Sequence, residues 1–377
     1  MTRVFVAAGE ASGDLHAAAV FRELKVRCAG LEVFGLGGEL LREQGADLLY
    51  DVRDLAVAGF WEVAKRILHF RRIFQATLAA IDSERPRLAI LVDYPGMNLR
   101  LAAELKRRAI PVVYYIVPQV WAWKPGRIQQ IEANVDLLLS ILPFEKELFN
   151  QARVRCEFVG HPLLDHISDS SDGGNFRARR HMEDDAPLIA LLPGSRQTEV
   201  TQHYPIMLDA MKLLAADYSN LRAMTAVRAE LPAESYSEPE RAAGIAPQHV
   251  TDQRYELLRS VDVAIVSSGT ATLEAALCGR PFCVVYRTGW LTYQIARRVI
   301  RLRQVGLVNI VAGKPIVPEY LQSEMTPANL AAFCRRMISD RHEAEQVATA
   351  LKSVRAKLGE PGASKRAAAL IAEAYCR

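Results

Sequence analysis

The chain has 377 residues, yet it contains no apolar run near the ~18 residues that a membrane-crossing helix needs. The apolar run before Gly9 is only a few residues long, too short for a signal peptide. The expected location is therefore the cytoplasm or a membrane surface. Cysteine is scarce: Cys28, Cys156, Cys278, Cys283, Cys334 and Cys376, with no C-x-x-C pair. A chain of this length can bury a core without staples, so free thiols in a reducing compartment are expected. Charge of one sign is also lacking. A net charge of +4 is small for this length and does not suggest a nucleic-acid binder, for which a strongly basic face would be expected. There is no Asp-x-Asp pair to hold a divalent ion on a nucleotide diphosphate, and no Gly-Lys-Ser/Thr of a phosphate-binding P-loop. The histidines show no zinc-site spacing with the cysteines. No metal and no cofactor are expected.

What is present is ordinary in amount and specific in arrangement. Apolar residues make up 50% and charged residues 24%, typical of a globular protein. The length suits two α/β domains. Strand-like runs fall near 3–8, 32–36, 87–92, 111–117, 135–142 and 154–159, then near 187–192, 222–227, 262–266, 281–286 and 307–311, alternating with helix-length segments. Several are continuous, such as Leu88-Ala89-Ile90-Leu91-Val92, the pattern of parallel strands covered on both faces. Two doubly wound sheets are expected, with ligands at the carboxyl ends of their strands. Ser168–Asn175 lacks any apolar residue and reads as a linker. It divides a domain over 1–170 from one over 187–345, leaving C-terminal helices over 346–377 free to cross back.

Two strand-to-helix turns stand out, because a helix start offers unpaired N–H groups and a positive dipole end to an anion. The first is Gly9-Glu10-Ala11-Ser12-Gly13-Asp14, with Gly9, Ser12 and Gly13 as candidate ligand contacts. Ser12 or Asp14 can cap the helix there, and Glu10 points into the crevice. The second is Ser267-Ser268-Gly269-Thr270-Ala271-Thr272-Leu273-Glu274, with Ser268, Gly269 and Thr270 toward a phosphate and Glu274 toward ribose hydroxyls. Asp93 directly follows Leu88–Val92; it can take a proton from a hydroxyl nucleophile or cap the helix near Asn98. Arg196, beyond Leu191–Ser195, suits bidentate phosphate binding or a surface ion pair. Pro118–Trp123 stacks on a sugar or, more in keeping with pattern alone, closes the core.

The segment Phe60–Phe74 places Phe60, Val63, Ala64, Ile67, Phe70 and Phe74 on one helical face, with Trp61 nearby and Lys65, Arg66, His69, Arg71 and Arg72 on or beside the other. It suits a membrane interface and equally a core-packed helix.

Taken in order, these motifs resemble the lipid-A-disaccharide synthase family. The resemblance rests on Gly9–Asp14, Val92-Asp93-Tyr94-Pro95-Gly96-Met97-Asn98, Val120–Trp123, Leu142–Lys146, Gly160-His161-Pro162, Leu191–Arg196, Ser268–Glu274 and Val308–Gly313 with Asn309. It implies a GT-B fold: α/β, two Rossmann-like doubly wound domains facing a central cleft, the N-terminal one binding acceptor and membrane, the C-terminal one the UDP-sugar. It implies an inverting transfer from UDP-2,3-diacylglucosamine to 2,3-diacylglucosamine 1-phosphate, giving a β(1→6) disaccharide 1-phosphate and UDP at the inner face of the cytoplasmic membrane. Asp93 falls on the family's essential aspartate, with Glu10 beside it, Arg196 on its phosphate-binding arginine and Asn309 on its loop asparagine. Phe60, Trp61, Ile67, Phe70 and Phe74, on the amphipathic segment, are the residues expected to make the lipid contact. Gly96 departs from the aspartate of some relatives, leaving Asp93 to act alone. The family's intertwined homodimer is open to this chain. Two other readings share the architecture: a sugar-nucleotide 2-epimerase, which has no use for a basic aromatic helix, and a non-catalytic lipid- or nucleotide-binding module, against which Asp93, Glu10 and Arg196 speak.

Overall fold

In the computed structural model the described residues are 2–55, 63–117, 126–168, 176–183, 185–289 and 304–375. They form two compact units. One is the chain up to Leu164 together with the returning segment from Gly359; the other is Asp165–Leu358.

The first unit is built on seven strands: β1 Thr2–Ala8, β2 Leu31–Gly37, β3 Asp47–Asp51, β4 Leu88–Val92, β5 Val112–Tyr115, β6 Leu137–Ser140 and β7 Cys156–Phe158. Their order is β3-β2-β1-β4-β5-β6-β7, and every pairing is parallel, with Val6 opposite Gly35 on one side and Ile90 on the other. Side chains of a strand alternate between faces, and here both faces are covered. Phe5, Ala7, Ala89 and Leu91 face one core, with Ile73, Leu78 and Leu101 from the helices Val63–Glu84 and Pro95–Arg107. Val4, Val6, Ile90 and Val92 face the other, with Ala17, Phe21 and Leu24 of the helix Ala11–Arg27. Ala367, Ala368 and Ile371 of the returning helix Ala363–Tyr375 complete that second core. The preceding helix, Arg341–Lys357, stays with the second unit through buried Leu351 and Val354.

The second unit has six parallel strands: β8 Leu188–Leu192, β9 Arg222–Ala226, β10 Gln248–Val250, β11 Val263–Ser267, β12 Phe282–Tyr286 and β13 Glu319–Leu321, in the order β10-β9-β8-β11-β12-β13. Each sheet winds outward in two directions from an inner pair, β1/β4 in one and β8/β11 in the other. In open α/β sheets that reversal opens the crevice in which ligands bind. The turns after β1, β4, β8 and β11 are those carrying Gly9, Asp93, Arg196 and Ser268–Thr270.

Four expectations need correction. The run 307–311 is a helix, Leu307–Ala312, ended by Gly313 in the left-handed region at φ 75°; a short buried apolar run has no period that tells strand from helix. Cys28 is disulfide-bonded, contrary to the expectation of free thiols throughout; Cys156, Cys278, Cys283 and Cys334 are free, and Cys376 lies outside the described residues. Asp14 caps a different helix from the one it sits in, as described below. Finally, Phe70 and Phe74 do not form a free lipid-facing surface. They are half-buried and pack against the first unit's core beside buried Ile73, while Leu68, Arg71 and Arg72 are exposed. Phe60, Trp61 and the Ile67 side chain lie outside the described residues, as does Pro118–Trp123. Among the described residues no helix is long and apolar enough to cross a membrane.

Complete burial of a phenylalanine is worth about 1.5–3 kcal/mol. Phe70→Ser and Phe74→Ser are therefore each expected to cost about 1–2 kcal/mol of stability, read from denaturant midpoints. Midpoints equal to wild type would place both rings in solvent.

Candidate active site

In the first unit the chain leaves β4 through an unusual turn. Asp93 (φ 48°) and Tyr94 (φ 47°) are both left-handed without being glycine, a strain of about 1–2 kcal/mol per residue. Several groups hold the turn. Asn98, 1% exposed, donates through Nδ2 to the carbonyls of Ala7 (3.1 Å), Val92 (3.2 Å) and Asp93 (2.8 Å). The Tyr114 hydroxyl, from β5, donates to the Asp93 carbonyl at 2.6 Å. The Asp93 N–H donates to the Tyr115 carbonyl at 3.0 Å. The Tyr94 ring lies over Gly9, where a Cβ would stand 2.2 Å from its Cδ1, so only glycine fits at the end of β1.

The Asp93 carboxyl is half-buried. Desolvation, reinforced by the nearby Glu10 carboxylate, pushes its pKa up to about 6. Glu10 itself is exposed at the start of the helix Ala11–Arg27, and its own side chain makes no capping hydrogen bond. Ser12 is exposed, and Gly13 is buried against Ala8 and the Val92 carbonyl. Asp14 turns away from this crevice. Its carboxylate accepts from the N–H groups of Gly38 (2.7 Å), Leu40 (3.1 Å) and Leu41 (3.3 Å), capping the helix Glu39–Glu43. His161 is buried, and its Nδ1 accepts from the Leu163 N–H at 3.2 Å; burial, helped by His16, holds its pKa down to about 3, so the ring is neutral. Beside the Asp93 turn lies an open groove of about 510 Å³ lined by Pro95, Gly96, Leu99, Arg100, Arg127 and neighbouring residues.

In the second unit Gly194 turns the chain after β8 at φ 138°. The Glu199 carboxylate closes this turn by accepting from the Ser195 N–H (2.9 Å) and the Arg196 N–H (3.3 Å), and it also holds Arg196 Nη1 at 3.0 Å. The Arg196 side chain is 75% exposed, and such surface pairs are weak, so its guanidinium remains open to an anion. His203, fully buried, ties this turn to the end of β12: Nδ1 lies 2.7 Å from the Pro193 carbonyl, and Nε2 accepts from the Arg287 N–H at 2.9 Å. Burial lowers its pKa, consistent with a neutral ring protonated on Nδ1.

After β11, Ser268 Oγ donates to the Val305 carbonyl at 3.0 Å. Gly269 follows at φ 127° with open space where a side chain would be, and exposed Thr270 opens the helix Ala271–Cys278. Glu274 is buried one turn in. Its Oε1 accepts from Arg254 Nη2 (2.7 Å) and the Tyr255 hydroxyl (3.2 Å), while Oε2 is buried with no partner among the described residues. An empty buried acceptor is costly unless a donor fills it.

The Asn309 side chain, expected among the UDP contacts, is occupied within the fold. It is fully buried, and its amide is used internally: Nδ2 donates to the Val317 carbonyl (2.9 Å) and to Glu319 Oε1 (2.8 Å), and Oδ1 accepts from the N–H groups of Ile316 (2.9 Å) and Val317 (3.1 Å). Glu319 in turn accepts from the N–H groups of Val305 (2.8 Å) and Gly306 (3.0 Å). Asn309 thus shapes the loop against which Ser268 leans. Among the described residues no group of three His, Cys, Asp or Glu is placed to hold a metal ion.

Sequence reasoning passed over Tyr114, Arg254, Tyr255 and His203. Tyr114 reads as one more apolar residue of a strand, and the others sit in helices with no spacing to mark them. Asn98 was visible only as the start of a helix and as the last residue of the Val92–Asn98 motif.

The fold narrows the class. The chain superposes on a putative UDP-N-acetylglucosamine 2-epimerase from Listeria monocytogenes with a TM-score of 0.66 at 13% identity, covering 99% of this chain and 96% of that one. It superposes on MurG from Acinetobacter baumannii with a TM-score of 0.61 at 15% identity, covering 99% and 100%. This is the two-unit fold shared by GT-B glycosyltransferases and sugar-nucleotide epimerases. Residues 4–374 match the family model described as lipid-A-disaccharide synthetase. A lipid-A-disaccharide synthase from Myxococcus xanthus is 40% identical over 371 residues, 98% of this chain and 97% of that protein. The chain belongs to the lipid-A-disaccharide synthetase family, and it is a glycosyltransferase of lipid A disaccharide synthesis.

Proposed function

We propose that the enzyme joins UDP-2,3-diacylglucosamine to 2,3-diacylglucosamine 1-phosphate in a single inverting displacement. The observation that carries this reading is Asp93, a half-buried carboxylate at the winding reversal of the first sheet with its pKa raised to about 6. Such a group is ionised at neutral pH and basic enough to accept a proton. Its carboxylate takes the proton of the acceptor's 6-hydroxyl as that oxygen attacks the anomeric carbon of the donor. The bond from that carbon to the diphosphate oxygen breaks on the opposite side, UDP departs with the electron pair, and the α-linkage becomes β(1→6).

The departing diphosphate gains stabilisation from the start of the helix Ala271–Cys278, with Ser268, Gly269 and Thr270, and from Arg196. Glu274 Oε2 suits a ribose hydroxyl. Gly9, Ser12 and Gly13 border the acceptor's place in the first unit, and the groove beside Asp93 gives its sugar room. Acyl chains demand access to a lipid surface, and exposed Leu68, Arg71 and Arg72 support a peripheral seat on the inner face of the cytoplasmic membrane.

The test is UDP release from UDP-2,3-diacylglucosamine with and without the phosphorylated acceptor. Release is expected only with acceptor, to yield the disaccharide 1-phosphate, and to survive EDTA. Equal release without acceptor would mean hydrolysis of the donor in place of transfer, and no release under either condition would leave an epimerase, which returns the sugar to UDP, or a binding module.

A further inference from the structure

The left-handed turn at Asp93 cannot hold itself. Two consecutive non-glycine residues at positive φ persist only where their surroundings over-determine them, and such strain gathers at functional sites. Here the restraints converge on one atom, the Asp93 carbonyl oxygen, which accepts from Asn98 Nδ2 at 2.8 Å and from the Tyr114 hydroxyl at 2.6 Å. We propose that Asn98 and Tyr114 are positioning residues, which lock the Asp93 backbone in the left-handed turn and so aim its carboxylate at the acceptor hydroxyl.

The chemistry of each group fits that task. The same Asn98 amide nitrogen reaches the Ala7 and Val92 carbonyls, so one side chain stitches the ends of β1 and β4 to the turn between them. Its Oδ1 is buried with no partner among the described residues. An unfilled buried acceptor is destabilising, so the hydrogen bonding of this side chain is all on its donor nitrogen. Asn98 is kept for its donor. Tyr114 is fully buried, and burial raises its pKa well above the usual phenol range, so it remains a donor at every working pH. Gly9 completes the arrangement by leaving space for the Tyr94 ring that the turn throws over it.

This inference rests on the reading of Asp93 as the base, and the test separates the two. Tyr114→Phe removes one hydroxyl and keeps the ring packing; Asn98→Ala removes all three amide contacts. Displacing a catalytic group slightly can lower rate by up to about 10²-fold. Tyr114→Phe is expected to lower kcat by about 10- to 100-fold with KM for both substrates near wild type. The loosened turn admits water, so the acid limb of the pH–rate profile should move down from about 6 toward the ordinary aspartate range near 4. In an Asp93→Asn background, Tyr114→Phe should change the residual rate no further, because it acts through Asp93. Asn98→Ala should behave alike and more strongly; should it fail to fold, Tyr114→Phe alone decides. Full turnover and an unmoved acid limb in folded Tyr114→Phe would overturn the positioning role while Asp93 stands. An equal further loss in the Asp93→Asn background would also overturn it. Full activity of Asp93→Asn itself would remove the base, and with it the reading on which the inference depends.

Discussion

Asp93→Asn is expected to lower transfer by about 10²–10⁴-fold, the usual contribution of a general base, while making the protein more stable at pH 7. Asparagine is nearly isosteric and tolerates the left-handed region well, so the turn should survive. The stability gain follows from the raised pKa. A carboxyl shifted from 3.8 to about 6 in the folded state is penalised once it ionises, by about 2–3 kcal/mol at 1.36 kcal/mol per unit. The sign is the reverse of the usual salt-bridged aspartate. The penalty is complete above about pH 6 and vanishes below about pH 4, so the advantage of Asp93→Asn should fade as pH drops through that window. Denaturant midpoints at pH 7 and pH 4 check it. A variant less stable than wild type at both pH values would show that the carboxylate is held by favourable contacts and is no desolvated base.

Arg254→Met should cost the second unit about 3–5 kcal/mol, the usual result of stripping one partner from a buried ion pair. Glu274 is 6% exposed, and Arg254 Nη2 is the only cation on its carboxylate among the described residues. With Arg254 gone, the charge is left to the Tyr255 hydroxyl alone. Adding Glu274→Gln to Arg254→Met removes the orphaned charge and should recover much of the loss. A wild-type midpoint for Arg254→Met alone would mean that Glu274 is solvated, and would weaken its assignment to a buried sugar hydroxyl.

The turns that carry these residues were legible because each joins a continuous apolar run to an abrupt polar or glycine-rich stop, as at Val92-Asp93 and Ser267-Ser268-Gly269. That pattern places a residue at the carboxyl end of a buried parallel strand, and the strand order then brings the turns together in pairs. What was not legible has physical causes. β3, β10 and β13 lie at the sheet edges with mostly exposed or half-buried residues, so they carry little apolar signal. The run 307–311 is buried except for half-buried Ile310, so it shows no period, and its helix is closed by the Gly313 N–H on the Asn309 and Ile310 carbonyls. Phe70 and Phe74 fit a lipid face or a core equally well by spacing, and only their packing against the first unit's core decides. Asn98 and Tyr114 act through a backbone carbonyl, a partner that no side-chain motif records.

The central claim is that a desolvated Asp93 accepts the proton of the acceptor hydroxyl, and the pH dependence of kcat/KM for disaccharide formation tests it most directly. The account predicts a single ionisation near pH 6, with activity full above it and falling about tenfold per pH unit below. A profile that stays flat from pH 7 down to pH 5 would contradict it.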